Sequence, residues 1–382
     1  MKNTIRVACI KREGMGAGGS ERVLQFMAQA LASAGYGVDY FYSDSNVDST
    51  RLQAMENAQL KLNEFHIDSV LDDEYSTWEG SNFWDMFDEE SYDIIINSIF
   101  CGAEYPYHLF KTPVIEFINF GVAVNQSENV VHTFLPSVFL REKWIGNGGL
   151  ISTSSVMPVP VETGCSEEHL REELAIPESA IVAGFHGRVS DYTYSDIPLA
   201  AFALVTHPDV YFVIMGLSEK YKEQAKTLGL QNVRFVEHSA DPTRISSFLR
   251  TLDVFAHGRY DGETYGSIFA EALMHNLPCI SHSSSFDNAQ QETMGPHGRF
   301  VDGVDEYAEV LGELLGSEDA RNALSRGAVD FAKANYSLES VSKDFLAAFD
   351  RIVIRSFTFR EGRFLRKDSF LKRLLFRFFS RI

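Results

Sequence analysis

The chain has 382 residues, of which 45% are hydrophobic, and a formal net charge of −19. This length and apolar content suffice for about two globular domains, and no stretch approaches the roughly 18–20 consecutive apolar residues of a membrane span. The acidic balance argues against nucleic acid as a partner, because phosphate backbones are held by basic surfaces.

Short apolar strands alternate with helices through the first half of the chain. The predicted strands are 5–10, 38–42, 94–96 and 114–118. A helix is predicted at 21–34, because its apolar residues recur on one face and Gly35 follows. The segment 71–90 interrupts this pattern with mixed acidic and aromatic residues. We expect an irregular, solvated surface there, and contact with an acceptor or partner is the alternative.

The later half repeats this plan. Its predicted strands are 181–186, 210–215, 233–236, 254–256 and 278–280, with a helix at 197–205. Apolar strands that alternate with helices indicate parallel sheets, and two such series indicate two doubly wound, Rossmann-like α/β domains. We place the boundary near residue 160, in the proline-containing stretch 157–161.

A glycine-rich loop follows the first strand. It matches the G-x-G-x-x-G pattern of dinucleotide sites, in which an acid of the second strand or at its end binds ribose, and Asp39 or Asp44 could serve. Residues 11–13 separate the strand from the first glycine, whereas the dinucleotide turn is tight against its strand. We therefore favour the interpretation that Gly18 and Gly19 let the backbone approach a diphosphate or an acceptor. An NAD-dependent dehydrogenase and a purely conformational turn are the alternatives.

Glu263 and Glu271 flank the predicted start of a helix, with a Tyr265-Gly266-Ser267 turn between them. Free backbone N–H groups and the helix dipole favour an anion at a helix start. A phosphate can bind there while the two carboxylates accept hydrogen bonds from sugar hydroxyls, as a nucleotide-sugar requires. Glu271 has apolar neighbours, so its burial requires a partner, and a structural ion pair is the alternative to a ligand role. The interpretation also requires that internal cations do not already occupy these carboxylates.

Several of these segments resemble glycosyltransferase family 4. The similar stretches are 18–23 (the glycine loop), 187–189 (Gly-Arg-Val, resembling the family's Gly-Arg-Leu segment), 252–257, 263–271 (the E-x7-E motif) and 287–290. The resemblance covers roughly residues 4–350. It implies a GT-B fold in which two Rossmann-like domains face a cleft that binds the donor. It also implies retention of anomeric configuration, with no metal and no cofactor besides the nucleotide-sugar donor.

The resemblance assigns roles to the residues of the E-x7-E motif. Glu263 is expected to be catalytic and to face the hydroxyls of the donor sugar, while Glu271 faces those of ribose. Gly266 and Ser267, with Tyr265 beside them, are expected to bind the donor through backbone N–H groups near the phosphate or sugar.

The glycine-containing loops are expected to complete the donor site. Gly187 and the catalytic candidate Arg188 lie at the diphosphate in this interpretation, and the fixed charge of Arg188 stabilises the leaving group. A surface salt bridge is the alternative for Arg188. Gly18 and Gly19 are the donor-binding candidates of the first domain.

Two positions depart from the family pattern. Thr193 stands where the family usually has a Lys, so one charge that faces the diphosphate is missing or comes from elsewhere, with Arg259 as a candidate. Asn119 stands where a His often follows a strand of the first domain; it can hydrogen-bond a sugar hydroxyl but cannot act as an acid or base near neutral pH. His257, close before the donor segment, is a candidate sugar or acceptor contact, and a structural histidine is the alternative.

The end of the chain reverses the charge. Nine basic and two acidic residues give 355–382 a formal charge of +7, and the remainder carries −26. Phenylalanines and leucines interleave with these charges, so 356–382 is predicted to be amphipathic and to lie on an anionic membrane surface. Docking onto the acidic body and an oligomer contact are the alternatives. A helix at 336–355 is expected to pack back toward the first domain.

These features predict an acceptor-side domain at 1–160 and a nucleotide-sugar-binding domain at 161–335. The four cysteines are widely spaced, and no secretory segment precedes the first strand, so we expect reduced thiols and a cytoplasmic protein at the inner face of a membrane. The predicted function is transfer of a sugar to a glycan or lipid-linked acceptor in bacterial surface-polysaccharide synthesis. A catalytically inactive glycan- or nucleotide-binding protein of the same fold is the alternative.

Overall fold

The computed structural model describes residues 5–16, 18–58, 60–162, 166–216 and 218–358. Cys165 and most of the amphipathic tail, 359–382, lie outside the described residues. The chain divides into two compact units: an N-terminal unit of residues up to 136, 141–157 and 341 onward, and a C-terminal unit of residues 137–140 and 158–340. The expected boundary near residue 160 is close to this division.

The N-terminal unit is built on a parallel sheet. Its strands are β1 (Arg6–Lys11), β2 (Gly37–Ser43), β3 (Lys61–Phe65), β4 (Ser69–Val70), β5 (Trp78–Glu79), β6 (Ile94–Ile99), β7 (Val114–Ile118), β8 (Val130–Leu135) and β9 (Ser154–Val156). Seven of them form one sheet in the order β3-β2-β1-β6-β7-β8-β9, with every neighbouring pair parallel, while β4 and β5 pair antiparallel. The order reverses between β1 and β6, as in a doubly wound sheet.

Four helices precede the second unit. They are α1 (Gly19–Ser33), α2 (Ser49–Asn57), α3 (Phe83–Met86) and α4 (Val138–Gly146). The apolar face of α1 is buried, and the helix ends where Gly35 adopts a left-handed φ of 89°. The N–H of Tyr36 then bonds back to the carbonyl of Leu31 at 3.0 Å, which satisfies one of the last helical acceptors.

The segment 71–90 is mostly exposed, as expected for a solvated face, but part of it reaches the core. Trp78, Phe83 and Phe87 are at most 5% exposed, whereas Trp84 is 43% exposed. The ring of Trp78 stacks on Phe65 at 5.3 Å, and Phe87 meets Phe41 edge to face at 5.2 Å. Burial of these rings stabilises the unit, while the acids between them remain at or near the surface.

The C-terminal unit repeats the architecture. Its strands are β10 (Ile181–Gly187), β11 (Val210–Gly216), β12 (Val233–Val236), β13 (Val254–Ala256), β14 (Gly262–Glu263), β15 (Cys279–His282), β16 (Asp287–Asn288) and β17 (Gly298–Val301). Six form a parallel sheet in the order β12-β11-β10-β13-β15-β17, and β14 pairs with β16. The predicted strands of this half each fall within an observed one, apart from the first residue of 278–280.

Nine helices complete the described residues. They are α5 (Ile197–Leu204), α6 (Lys220–Thr227), α7 (Pro242–Leu249), α8 (Ser267–Met274), α9 (Gln290–Met294), α10 (Gly303–Gly316), α11 (Glu318–Ser325), α12 (Ala328–Tyr336) and α13 (Leu338–Thr358). From Val341 onward α13 belongs to the N-terminal unit, where the ring of Phe345 lies 5.9 Å from those of Phe117 and Phe134. Within the described part of the chain, none of the helices combines the length and apolarity of a membrane span.

Candidate functional site

The C-terminal sheet reverses its winding between β10 and β13. Ligands of doubly wound sheets bind outside the carboxyl ends of the strands at such a point. Strands β10 and β13 end immediately before Arg188 and His257, and β14, which ends in Glu263, leads into α8. The segments that carry Arg188 and His257 therefore both start at the carboxyl ends of strands of this sheet, and the segment from His257 continues to Glu263 and α8.

Helix α8 starts without a side-chain cap. Its N-cap residue, Gly266, adopts the left-handed conformation with φ 82° and ψ 60°. A Cβ atom there would lie 2.9 Å from Cδ2 of Phe269, so both backbone and space favour glycine. The first amides of the helix, from Ser267 onward, donate no hydrogen bond to a side chain at the N-cap. This helix end is therefore suited to an anion.

Glu271 lies in the second turn of α8 and is 6% exposed. Its Oε2 is 3.3 Å from Nε2 of His186, which is the last residue but one of β10. The His186 ring is enclosed edge to face by Phe248 at 5.9 Å and Phe255 at 6.0 Å. Nε2 of His186 is thus within ion-pair distance of the buried carboxylate but not in hydrogen-bond geometry, and this contact is compatible with both a ligand role and a structural pair.

Glu263 is held by Arg259 and His257. Its two carboxylate oxygens lie 3.3 and 3.4 Å from Nη1 of Arg259, and Oε1 lies 3.5 Å from Nε2 of His257. Burial opposes ionisation of Glu263, but the charge of Arg259 and the hydrogen bond from His257 overcome it and lower the pKa below its usual value. The requirement that internal cations leave this carboxylate open is therefore not met, and Arg259 and Glu263 must be considered together.

Arg259 joins two carboxylates. It binds Asp261 through Nε at 2.6 Å and Nη2 at 2.9 Å, closer than its contacts with Glu263. Burial alone would lower the pKa of Arg259, but hydrogen bonding to Asp261 and the charges of both acids raise it above the ordinary value. The next residue, Tyr260, donates its N–H to the carbonyl of Thr193 at 3.1 Å. The backbone of the residue after Arg259 therefore contacts Thr193, the position where the resemblance expects a Lys.

His257 is buried and held at both ring nitrogens. Nδ1 lies 3.0 Å from Oγ of Ser281, and Nε2 faces Glu263. Burial lowers the pKa of His257 despite the neighbouring carboxylate. Its side chain is 2% exposed, so the structure gives it a supporting contact with Glu263, and its role as a sugar contact stays a prediction.

Arg188 stands apart from this network. It is exposed, and no carboxylate of the described residues forms an ion pair with it. Among those residues the salt-bridge alternative therefore finds no support. Gly187, the last residue of β10, pairs in register with Gly216 of β11, so Arg188 lies just beyond the carboxyl end of its strand.

The N-terminal glycine loop serves two purposes. Gly14 has a φ of 85°, and a Cβ there would lie 2.3 Å from the carbonyl oxygen of Asn46, so this residue is needed for the turn. A Cβ on Gly18 would meet only the flexible side chain of Glu21, and one on Gly19 would meet nothing within 4 Å. The conformational explanation fits Gly14, and open space lies above Gly19, where α1 begins.

The dehydrogenase alternative loses its acidic residues. Asp39 accepts hydrogen bonds from Arg6 at 3.0 Å, Lys61 at 3.3 Å and Tyr92 at 2.7 Å. Asp44 is 2.7 Å from Nδ1 of His66. Both carboxylates that could bind a ribose are therefore engaged within the N-terminal unit.

Two other predicted residues are committed to internal contacts. Asn119 is buried after β7, and its Nδ2 donates to Oγ of Ser98 at 2.8 Å. Tyr265 is 6% exposed, with its ring 5.9 Å from that of Tyr336, so any contribution to the start of α8 comes from its backbone. Across the described residues, no group of three or more His, Cys, Asp and Glu side chains is arranged to hold a metal ion.

Sequence reasoning missed two residues of this site. Gln290 accepts the N–H of Glu263 at 3.1 Å and donates to the carbonyl of His282 at 3.2 Å, which fixes the turn before α8. His186 supports Glu271. The only signal for His186 was a histidine at the end of a buried strand, directly before the Gly187-Arg188 pair.

Comparison with known sequences matches one half of the chain. Residues 166–330 match the sequence model of the family described as glycosyl transferases group 1. Spore coat protein SA of Bacillus subtilis is 26% identical over 201 residues, which are 49% of this chain and 52% of that protein. The D-inositol 3-phosphate glycosyltransferase of Corynebacterium urealyticum is 30% identical over 198 residues, 48% of this chain and 46% of that protein. The chain therefore spans about half the length of the curated relatives it matches.

Comparison with solved structures extends over both units. HepE of Anabaena, solved in complex with UDP, matches with a TM-score of 0.70 at 15% sequence identity, covering 91% of this chain and 100% of that one. At this identity the likeness shows the fold alone. The family model and the name of the Corynebacterium relative support a glycosyltransferase, and the chain has the GT-B fold with two Rossmann-like domains.

Proposed function

We propose that the protein is a retaining, metal-independent glycosyltransferase of family 4 that moves a sugar from a nucleotide-diphosphate sugar to a glycan or lipid-linked acceptor. The observation that carries this proposal is the side-chain-uncapped start of α8 with a carboxylate on either side, Glu271 buried and Glu263 partly buried. A diphosphate at this helix end places ribose toward Glu271 and the sugar toward Glu263. That HepE was solved with UDP supports a nucleotide donor.

Arg259 gives the site a charge that Thr193 cannot supply. Its bonds to Asp261 are short, whereas those to Glu263 are long and therefore weaker. An incoming phosphate competes with Glu263 for the guanidinium. A small shift of Arg259 toward the phosphate frees the Glu263 carboxylate for the sugar hydroxyls, so the internal pair becomes part of donor binding.

The chemistry requires charge stabilisation more than proton transfer. As the glycosidic bond breaks, negative charge develops on the leaving phosphate, where Arg188, Arg259 and the start of α8 stabilise it. The same phosphate accepts the proton of the acceptor hydroxyl as the new bond forms to the anomeric carbon. No side chain is then needed as a general base, which agrees with Asn119 in place of a histidine.

An aromatic pair in the N-terminal unit supports a carbohydrate acceptor. Phe100 and Phe120 follow directly, or after one residue, the ends of β6 and β7, and they are 58% and 39% exposed. Their rings stack with centroids 5.7 Å apart and planes 22° apart. Such exposed rings offer a flat apolar surface to the C–H face of a sugar. We propose surface-polysaccharide synthesis at the cytoplasmic face of a membrane as the setting, with the tail 356–382 as the anchor.

The proposal is tested first by binding and then by turnover. Thermal shift with UDP and GDP should raise the melting temperature with one of them, because ligand binding stabilises the native state. Turnover of a panel of UDP- and GDP-sugars should then fall by roughly a hundredfold in Glu263→Ala. A panel without turnover, or a Glu263→Ala variant as active as wild type, would contradict the proposal.

The pairing of Glu263 favours a second candidate, a GT-B protein that binds a nucleotide or glycan without catalysis. In that case the Arg259–Glu263 contact is permanent. Tight nucleotide binding without turnover across the whole panel would support this candidate. A donor that raises the melting temperature and is also consumed would exclude it.

A further inference from the structure

A small apolar loop protrudes from the N-terminal unit between α4 and β9. Leu150 is 63% exposed and Ile151 is 67% exposed, and they are consecutive. Transfer of an exposed aliphatic side chain out of water is favourable, so two adjacent ones in a loop indicate a contact surface.

The backbone of this loop is fixed by two arginines. Nη2 of Arg141 donates to the carbonyls of Ile151 at 3.2 Å and Ser154 at 3.0 Å, and Nε donates to Oγ of Ser154 at 3.1 Å. Nη1 of Arg355, from the last turns of α13, donates to the carbonyl of Ser152 at 2.8 Å. Because the carbonyls are bound, the loop is held while its apolar side chains stay exposed.

The surroundings of the loop are basic. Burial first, and then the charges of Arg355, Arg141 and Arg351, lower the pKa of His132 to about 4, so three guanidinium charges act on one imidazole. His132 is neutral near pH 7 and adds no charge. Glu142, beside Arg141 on α4, is exposed and offsets part of the positive charge. The patch is nonetheless cationic on a body, residues 1–354, that carries −26.

The charge of the sequence that follows Arg355 indicates the occupant of this surface. The segment 359–382 contains eight basic and two acidic residues, so it carries the same sign of charge as the patch. Like charges disfavour folding of the segment onto the patch, whereas an anionic surface attracts both.

We propose that Leu150 and Ile151, with Arg351 and Arg355 around them, form a membrane-docking surface for anionic phospholipid. The two apolar side chains enter the interface while the guanidinium groups face the headgroups. The surface acts together with the basic tail and does not depend on the transferase activity proposed above.

The test uses the full chain and sedimentation with two kinds of vesicle, phosphatidylcholine alone and phosphatidylcholine with phosphatidylglycerol. The double variant Leu150→Ser/Ile151→Ser should bind anionic vesicles roughly tenfold more weakly than wild type, because two exposed aliphatic side chains no longer enter the interface. Arg351→Gln should weaken binding roughly fivefold at low salt, and less at high salt. Leu204→Ser, which alters an equally exposed leucine of the C-terminal unit, is the matched control and should bind as wild type does.

A second measurement keeps the test independent of variant stability. Tryptophan placed by Ile151→Trp should shift its emission to the blue on addition of anionic vesicles, and Leu204→Trp should not. Unchanged vesicle binding of the Ser double variant would overturn the proposal, as would equal loss in Leu204→Ser. A wild-type dimer that the double variant loses, with vesicle binding intact, would show a contact between copies of the chain and overturn it as well.

Discussion

Glu116 shows how a buried polar residue shapes the N-terminal sheet. It lies in the middle of β7, fully buried, in register with Asn97 on β6 and Thr133 on β8. Thr133 donates to one carboxyl oxygen at 2.9 Å and Asn125 to the other at 3.2 Å. Burial still dominates over these two bonds and raises the pKa of Glu116 to about 7.

This pKa predicts a dependence of stability on pH. The folded state holds the Glu116 proton more tightly than the unfolded state. The contribution of Glu116 to stability is therefore largest below the unfolded pKa of 4.5, and it is lost as the pH rises through about 7. The loss is on the order of 3 kcal/mol between these limits. Glu116→Gln removes this loss, so its melting temperature should exceed that of wild type at pH 8, with the difference shrinking or reversing at pH 5.

Glu128→Gln is the matched control, since Glu128 is an exposed carboxyl of the same unit. It should follow the wild-type melting temperature at both values of pH. A Glu116→Gln variant less stable than wild type at pH 8 would mean that the buried carboxylate is better satisfied than its two hydrogen bonds indicate.

Substitution of the two acids of the proposed donor site should have different effects on UDP affinity and on kcat. Glu271→Gln loses a charged acceptor for ribose, so UDP affinity should fall by roughly tenfold to a hundredfold. Glu263→Gln should leave UDP affinity near that of wild type and lower kcat by roughly a hundredfold, because its partner is the reacting sugar. Calorimetry with UDP and initial rates measure the two effects, with Glu313→Gln, an exposed acid on α10, as control.

Equal loss of UDP affinity in both variants would assign Glu263 to the diphosphate side through Arg259. Loss in neither would remove both residues from the donor site. These outcomes separate the assignment of roles from the larger question of whether the protein is a transferase.

Helices and strands were the most predictable level of this structure. Val114–Ile118, Val233–Val236 and Val254–Ala256 have the bounds that the sequence predicts, because a buried parallel strand is a continuous apolar run with polar residues at its ends. The segment 71–90 is mostly exposed, as its acids suggested, but the burial of three of its rings was not predicted. Trp78 and Phe87 pack against Phe65 and Phe41, which lie on strands that local sequence does not connect to them.

The same limit applies to the candidate site. The spacing of Glu263 and Glu271 was visible in the sequence, but the contact that each carboxylate makes was not. His186 reaches Glu271 from a strand 85 positions earlier, and Arg259 turns back to Glu263 only because of the local loop geometry. Hydrophobic periodicity carries no information about such pairings, so they emerge only from the folded chain.

The start of α8 allows a test at the level of the element. Gly266→Ala forces a Cβ into the left-handed region and against Phe269, so the free energy of unfolding should fall by about 2 kcal/mol. Gly312→Ala, inside α10 with open space around it, should raise the free energy of unfolding by roughly 0.5–1 kcal/mol. Denaturant unfolding of both variants measures the contrast. A neutral Gly266→Ala would show that the helix can start elsewhere.

At the scale of the whole molecule, charge and sequence similarity are both unevenly distributed. The family match is confined to residues 166–330, within the C-terminal unit that holds the Glu263 and Glu271 pair. The N-terminal unit contributes the aromatic pair Phe100 and Phe120 and the cationic patch around Leu150. This division agrees with the proposed function, in which the C-terminal unit binds the donor and the N-terminal unit carries the proposed acceptor and membrane surfaces.

The balance of charge leads to a prediction for the complete chain. Residues 1–354 carry −26 and should be repelled by an anionic bilayer, so attachment must come from the basic end and the cationic patch. Deletion of 356–382 should release the protein from phosphatidylglycerol-containing vesicles, because the remaining patch acts alone against that repulsion. Added salt should weaken the binding of the full chain, while the deletion variant should keep its circular dichroism spectrum. Undiminished vesicle binding after the deletion would assign attachment to the folded body instead of its basic end.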